Sequence, residues 1–228
     1  MATIFIDIQT IPLQDPQMIA HITQSIKPPA TYKNPDSIAK WYQENLHKEA
    51  ERRYVQTALD GLYGEIFSIA WAIDDQEVIA FWRDDLSSER GLLQTFMDEM
   101  AQLEDHTGQR RFIRQWVGHY ISGFDLRFLW QRCVINRVKP SVVIPLDAKP
   151  WDERVFDTHT VWNGSYPNQA QTDLQSLAQA FGLQDGSAKK ASSVYQDWLA
   201  GRYEAIADFN RQSVNQARNL YRRMHFMD

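Results

Sequence analysis

One acidic residue interrupts an apolar run close to the start of the chain, between Thr3 and Thr10. The isoleucines and the phenylalanine of this run predict a β-strand, and Pro12, which has no backbone N–H, predicts its end. Side chains alternate along a strand, so Asp7 and Gln9 are expected to point to the same face. A carboxylate inside an apolar strand needs a partner. On these residues alone two partners remain open, a bound metal ion or nearby backbone N–H groups.

Other residues that could titrate or bind a metal lie further along the chain. Asp125 is placed in the first turn of a predicted helix, where a carboxylate interacts favourably with the helix dipole. His119 and His159 could ligate a softer metal together with one of the candidate aspartates, but satisfied structural histidines are the favoured interpretation. Asp157 and Asp173 are interpreted as structural, Asp173 as a helix N-cap.

The size and composition of the chain limit its class. A chain of 228 residues that is 43% hydrophobic can bury a substantial core, and residues 1–228 are expected to form one domain. The one cysteine, Cys133, excludes an internal disulfide and fits a reducing compartment. The apolar runs are shorter than a membrane span, and the first ten residues lack the layout of a secretory signal. A cytoplasmic protein without membrane contact is therefore expected.

Charge is distributed unevenly between the two halves of the chain. Residues 1–107 hold 8 Lys and Arg against 18 Asp and Glu, whereas residues 108–228 hold 16 against 11. The N-terminal half therefore carries −10 and the C-terminal half +5, which gives the net charge of −5. A basic half is compatible with a nucleic-acid groove, and ordinary solvated faces are the alternative.

Hydrophobic periodicity predicts an α/β fold with a helical insertion. Strands are predicted at residues 3–10, 64–73, 77–82 and 154–158, the first three in meander order. A helical insertion near residues 35–60, opening at Asn34-Pro35, is expected to pack over the sheet. Further helices are predicted at residues 92–103, from residue 123, and at 174–183, 192–199 and 202–224.

Three separated segments resemble the three motifs of DEDD-type 3′–5′ exonucleases. They are residues 5–12, residues 119–129 around Asp125, and residues 206–224 in the last helix. The chain looks most like predicted exonucleases of phages and prophages, of the DEDDy type, which are related to the proofreading domain of family B polymerases. Segments such as KPPATYKNPDSIAKW and AKPWDERVFDT extend the resemblance over nearly the whole chain. The resemblance implies a ribonuclease H-like fold, a mixed sheet flanked by helices.

The family chemistry explains why these motifs carry acids. In active relatives, four carboxylates hold two divalent ions roughly 3.5–4 Å apart, and a Tyr or His positions or deprotonates the attacking water. This chain departs from that pattern in every motif. Asp7 matches the first motif, but Gln9 stands where relatives have Glu. Asp125 matches the second motif, in which Tyr120 replaces an Asn.

The third motif departs furthest from the family pattern. Its Tyr-x-x-x-Asp signature falls on Phe209 and Ser213, which lack the hydroxyl and the carboxylate. Both are expected on one helix face, looking into the site, whereas Asp208 points about 100° away. The resemblance thus implies a degraded catalytic site made of Asp7, Gln9, Asp125, Phe209 and Ser213. Asp7 and Asp125 would be its metal ligands, with weak or absent binding, and no cofactor is expected except Mg²⁺ or Mn²⁺ for any residual activity.

Three functions are compatible with such a site. The leading hypothesis is a catalytically silent exonuclease-fold protein that binds single-stranded nucleic acid or a 3′ end, because a cleft with fewer carboxylates repels phosphates less. The second is a weak metal-dependent exonuclease with an altered metal site, and the third is a protein-binding regulator that reuses the fold. In the resembling fold, the segments around the cleft carry these cations: Arg127, Arg132, Lys149, Arg154, Lys189, Lys190 and Arg202.

Overall fold

The computed structural model describes residues 1–83, 88–104, 107–164, 172–183 and 193–227. Its strands are β1 (Ala2–Ile11), β2 (Glu65–Ile73), β3 (Ile79–Trp82), β4 (Ile113–Gly118) and β5 (Val155–Asp157). Its helices are α1 (Pro16–Gln24), α2 (Pro35–Gln56), α3 (Glu89–Ala101), α4 (Asp125–Ile135), α5 (Thr158–Asn163), α6 (Leu174–Ala180), α7 (Val194–Leu199) and α8 (Tyr203–Met224), and a 3₁₀ turn, Thr57–Leu59, follows α2. Within these residues, no helix combines the length and the apolar composition that crossing a membrane requires.

The strands form one mixed sheet in the order β3-β2-β1-β4-β5. Strand β2 runs antiparallel to both β1 and β3, whereas β4 runs parallel to both β1 and β5. The long apolar strand β1 therefore lies at the centre, where a strand is covered on both faces. This is the ribonuclease H-like α/β architecture, and the predicted mixed sheet with a meander first is confirmed.

The two faces of β1 pack against different helices. Its alternate isoleucines belong to a large apolar cluster that also contains residues of α3 and α4. Phe5 points to the opposite face, where it packs with apolar residues of α8 such as Val214. Asp7 and Gln9 share the strand face of Phe5, because side chains alternate along β1 up to the irregularity between Gln9 and Thr10. The fold thus brings the candidate polar residues under the last helix.

The insertion between β1 and β2 is helical but packs differently from the prediction. Helix α2 begins after Asn34, whose side chain accepts a hydrogen bond from the Asp36 N–H at 2.8 Å, as the Asn-Pro start predicts. Its main contacts are with α1 and the 3₁₀ turn, and the ring of Tyr54 meets that of Tyr195 in α7. The prediction that it packs over the sheet is therefore wrong. The reason is composition, since its apolar residues are too sparse to bury one side and none of its residues is fully buried.

A buried ion pair fastens α3 to α4. The Glu89 carboxylate accepts hydrogen bonds from Arg132 Nε at 2.9 Å and Nη2 at 2.7 Å. The same carboxylate accepts the Ile66 backbone N–H at 2.7 Å, near the start of β2. Both charged side chains are almost fully buried. Arg132, which the resemblance placed among the cleft cations, is therefore a structural residue, and that prediction is wrong.

Candidate functional site

Two carboxylates come together at the centre of the sheet. Asp7 lies on β1, and Asp125 is the first residue of α4, beyond the turn that follows β4. Asp125 Oδ1 accepts a hydrogen bond from the Ile8 backbone N–H at 3.0 Å. Because β4 pairs with the first half of β1 in parallel, the chain after β4 meets β1 at the level of Ile8. The acids of two separate sequence motifs are thus neighbours in the fold.

The amide of Gln9 is the partner of the Asp7 carboxylate. Gln9 Nε2 donates a hydrogen bond to Asp7 Oδ2 at 2.6 Å. The sequence left two partners open for the Asp7 carboxylate, a metal ion or backbone N–H groups. In the structure, the nearby backbone N–H of Ile8 donates to Asp125 instead. The Gln9 amide therefore occupies a carboxylate oxygen that a metal ion at this position would need.

Burial and mutual repulsion favour the protonated forms of these acids. Burial raises the pKa of Asp7 to about 7, against the opposing effect of the hydrogen bond from Gln9. Burial, followed by the nearby charge of Asp7, raises the pKa of Asp125 well above its usual range. At neutral pH the pair therefore carries less than two full negative charges.

We expect Asp125→Asn to be more stable than the native protein at pH 8, by about 1–3 kcal/mol, and to lose this advantage at pH 4. Both carboxyl pKa values are raised, so the folded state binds more protons than the unfolded state between the usual and the raised values. Native stability therefore falls as the pH rises through that window, and removing one acid removes part of the fall. Urea unfolding at both pH values measures the difference. Glu153→Gln, at a side chain that is 88% exposed, is the control, and an equal gain at both pH values would contradict the prediction.

Helix α8 lies over the same region of the sheet. Asn210 Nδ2 donates a hydrogen bond to Ser68 Oγ at 2.9 Å, and Ser68 is the neighbour of Gln9 across the β1–β2 ladder. This contact places the middle of α8 above the Gln9 level of β1. Phe209 and Ser213 flank Asn210 on the buried side of the helix. The third motif therefore faces the first.

The side chains of the third motif make contacts within the protein, close to their own positions in the chain. Phe209 and Ser213 are both buried on one side of α8, so the prediction that they share a helix face is confirmed. Phe209 packs in an apolar cluster beside the ends of β1 and β2. Ser213 Oγ donates a hydrogen bond to the Phe209 carbonyl at 3.1 Å, one turn earlier. Asp208 is exposed and pairs with Arg211, which confirms that it points away from the site.

The comparisons with known proteins agree with the motif resemblance. A sequence profile described as a predicted 3′–5′ exonuclease related to the exonuclease domain of PolB matches residues 59–228, about three quarters of the chain. The chain belongs to this exonuclease family. The matched range contains Asp125 and α8, and it begins after β1 with Asp7 and Gln9. Among curated protein sequences, none matches the chain.

A solved polymerase structure shares the fold of this exonuclease-family chain. It is the family B DNA polymerase from the hyperthermophilic archaeon Pyrobaculum calidifontis, with a TM-score of 0.58 and 14% sequence identity. The match covers 98% of the chain and 24% of the polymerase, so the chain spans about a quarter of the protein that it resembles. At this level of identity the likeness shows the fold alone. Its coverage nevertheless includes most of β1, α1 and α2, which precede the family match.

The site of this family member does not fit a two-metal centre. In the part of the chain that the structure describes, no group of three or more His, Cys, Asp or Glu side chains is placed to hold a metal ion. Asp7 and Asp125 remain, while the Gln9 amide and the Ser213 hydroxyl both donate to oxygen atoms of the protein. Mg²⁺ is bound chiefly through carboxylates. The described residues of this site therefore do not match the four-carboxylate set that the motif resemblance implies.

The histidines and the remaining aspartates near the site have structural contacts. His119 Nδ1 lies 3.0 Å from Thr158 Oγ1, and its Nε2 lies 3.0 Å from a backbone carbonyl oxygen. Burial lowers the pKa of His119, which favours the neutral ring. The ring of His159 packs edge-on against that of His119, with centroids 5.4 Å apart. Asp157 and Asp173 accept backbone N–H groups as the N-caps of α5 and α6, so the structural interpretation of both is confirmed.

Three of the predicted nucleic-acid-binding residues lie around one loop. Arg127, in the first turn of α4, donates a hydrogen bond to the Leu146 carbonyl at 3.1 Å, which places it beside the loop leading to β5. Lys149 belongs to that loop and lines an open cavity of about 280 Å³ along β5. Arg154 ends the loop and pairs with Asp152 at 2.6 Å, so much of its charge is neutralised.

The other predicted cations are elsewhere or outside the described residues. Arg202 lies just before α8 and pairs with the buried Asp197 at 2.7 Å, on the side of the sheet where α7 packs. Lys189 and Lys190 are outside the residues that the structure describes. The structure thus brings Arg127, Lys149 and Arg154 to one loop, whereas Arg202 lies at the start of α8 and pairs with a residue of α7.

Sequence reasoning missed the polar residues that α8 directs toward the sheet. Asn210 is fully buried, and within the described residues its Oδ1 has no hydrogen-bond partner. Gln216 is also buried on this side of the helix. Positions 210, 213 and 216 recur every three residues, so a polar stripe inside an otherwise apolar helix face was the available signal.

Proposed function

We propose that this member of the exonuclease family binds single-stranded nucleic acid at or near its 3′ end without cutting it at a useful rate. One observation carries the proposal, namely the hydrogen bonds that Gln9 and Ser213 make within the protein. These two groups stand where the resembling exonucleases hold carboxylates. The Phe209 ring cannot position a water molecule as a hydroxyl does. Losing a group that prepares the attacking water costs about 10²–10⁴-fold in rate.

Binding a nucleic acid does not require the carboxylates and the hydroxyl that catalysis requires. Two acids with raised pKa values repel a phosphate less than four ionised carboxylates would. Arg127 and Lys149 are exposed around the loop before β5, where a backbone phosphate could reach them. Both cations belong to the half of the chain that carries a net positive charge. These features support retained binding beside lost chemistry.

We expect the native protein to bind a short fluorescein-labelled single strand in the presence of EDTA, with an affinity that falls as salt rises. About three phosphate contacts give a slope of about −2 for the logarithm of affinity against that of salt concentration. Arg127→Glu should weaken binding about tenfold at low salt. Lys139→Glu makes the same change of charge beyond the other end of α4 and should have little effect. Fluorescence anisotropy measures all three proteins.

The same samples distinguish the alternatives. The survival of Asp7 and Asp125 as neighbours favours a second function, a weak Mn²⁺-dependent exonuclease. Digestion of the strand by the native protein with Mn²⁺, and its loss in Asp7→Ala, would establish that function instead of the silent binder. Absence of any binding in EDTA and in Mn²⁺ would overturn both and leave the protein-binding regulator.

A further inference from the structure

Tyr120 combines a rare backbone conformation with an exposed ring beside the candidate site. It follows β4 and precedes Asp125 by five residues. Its φ of 63° lies in the left-handed region, which bulky residues seldom adopt. The residue is 47% exposed, so burial of the ring does not account for the conformation. Strain of this kind persists only where surrounding contacts impose it, and it is concentrated at functional sites.

Hydrogen bonds on both sides hold the Tyr120 backbone. Its N–H donates to Asp157 Oδ1 at 2.8 Å, and its carbonyl accepts the N–H groups of Gly123 at 3.1 Å and Phe124 at 3.0 Å. The other Asp157 oxygen accepts the Ser122 N–H at 2.9 Å. One buried carboxylate and the turn itself therefore fix the position of this residue.

The ring of Tyr120 is held as firmly as its backbone. It lies over Gly123, where a Cβ atom would come within 2.5 Å of the ring Cζ, so a larger residue at 123 would displace it. The ring of His159 meets the Tyr120 ring edge-on, with centroids 5.0 Å apart. His159 in turn packs against His119, whose two ring nitrogens have protein partners. A ring that is already fixed loses little conformational entropy when a ligand packs on it.

The ring stands at the same edge of the sheet as the two acids. Strands β1, β4 and β5 are parallel, and Gly118 at the end of β4 pairs with Asp157 at the end of β5. The Tyr120 turn and the start of α4, with Asp125, both lie just beyond this edge. A single-stranded nucleic acid whose 3′ end approaches Asp7 and Asp125 would therefore pass the Tyr120 ring.

We propose that Tyr120 is a stacking platform for a nucleobase close to the 3′ end of a bound single strand. This inference rests on the proposed nucleic-acid binding. Every base has a π-face, so an aromatic ring beside a cationic surface suits single strands of any sequence. The resembling exonucleases carry Asn at this position, which makes the ring a feature of this chain.

The test compares Tyr120→Gly with the native protein in binding a fluorescein-labelled single strand. Glycine adopts a positive φ without strain, so this variant removes the ring and keeps the turn. The Kd should rise about 5- to 150-fold, the range for losing one base–aromatic stack, with an unchanged salt slope because no charge is removed. Tyr120→Phe should keep the native affinity. Phe112→Ala, at an exposed ring just before the other end of β4, is the matched control and should also keep it.

A strand with abasic nucleotides at its 3′ end gives a second measurement that uses the native protein. It should bind more weakly by the same factor, and Tyr120→Gly should bind the intact and abasic strands equally. If the native protein binds but neither the ring nor the terminal bases affect the Kd, the stacking inference is overturned and the proposed function stands. If the native protein binds no strand at all, the proposed function and the inference both fall.

Discussion

The triple variant Gln9→Glu, Phe209→Tyr, Ser213→Asp is expected to digest single-stranded DNA from its 3′ end with Mn²⁺ at least about 10²–10⁴ times faster than the native protein. Position 9 lies on the strand face of Asp7, with its side chain in contact with that carboxylate. Positions 209 and 213 share the buried side of α8, above the Gln9 level of β1. The three new groups would therefore enter the site that holds Asp7 and Asp125. Gel electrophoresis of a 5′-labelled strand, with Mn²⁺ or EDTA, measures the rate.

The triple variant is also expected to be less stable than the native protein when no metal is present. Gln9→Glu replaces a donor to Asp7 by a second carboxylate, and Ser213→Asp adds another acid near the half-buried Asp7 and the buried Asp125, whose pKa values are already raised. An unpaired buried charge costs about 3 kcal/mol. Mn²⁺ at 100 times its Kd would return about 2.7 kcal/mol. Thermal melts with and without Mn²⁺ should therefore diverge for the variant and coincide for the native protein.

Adding Asp7→Ala to the triple variant is the matched control, since it removes one carboxylate and leaves the other restored groups in place. Digestion should disappear, and so should the stabilisation by Mn²⁺. If the native protein digests the strand as fast as the triple variant, the interpretation of Gln9, Phe209 and Ser213 as the causes of lost activity is wrong. If the triple variant binds Mn²⁺ without digesting DNA, the third motif has been assigned to the wrong positions of α8.

Much of the fold could be predicted because its signals are local. The apolar run of β1 and the spacing of α8 indicate their elements directly, since one strand or helix face decides the pattern. Helix α1 was missed, although Asp15 followed by Pro16 is the start of a capped helix and Asp15 accepts the N–H groups of Gln17 and Met18. The position of α2 could not be predicted, because it depends on which distant surfaces remain uncovered.

The candidate site was predictable where one element fixes a side chain and unpredictable where two elements meet. Strand alternation brings Asp7 and Gln9 to one face, and helical spacing brings Phe209 and Ser213 to one face. The hydrogen bond from the Ile8 N–H to Asp125 joins residues 117 positions apart, and local patterns carry no information on such contacts. The left-handed conformation of Tyr120 depends in the same way on Asp157, 37 residues later.

Breaking the buried ion pair of Glu89 and Arg132 is expected to destabilise the protein strongly. Arg132→Ala should lower the free energy of unfolding by about 3–5 kcal/mol. Removing the guanidinium leaves a buried carboxylate without its cation, although the N–H of Ile66 still bonds to it. The double variant Glu89→Gln, Arg132→Met removes both charges and should lose clearly less than Arg132→Ala, because no unpaired charge stays buried. Urea unfolding measures the three proteins.

Lys40→Ala is the control for this prediction, because its ion pair with Glu44 is exposed and such pairs contribute about 0.3–0.5 kcal/mol on a helix. The comparison separates a buried charge from a surface one within the same chain. A double variant as unstable as Arg132→Ala would assign the loss to packing between α3 and α4 instead of to the charge. If Arg132→Ala lowers the free energy of unfolding by less than about 1 kcal/mol, water reaches the Glu89 carboxylate in the variant. The ion pair then contributes little to holding α3 and α4 together beside the start of β2.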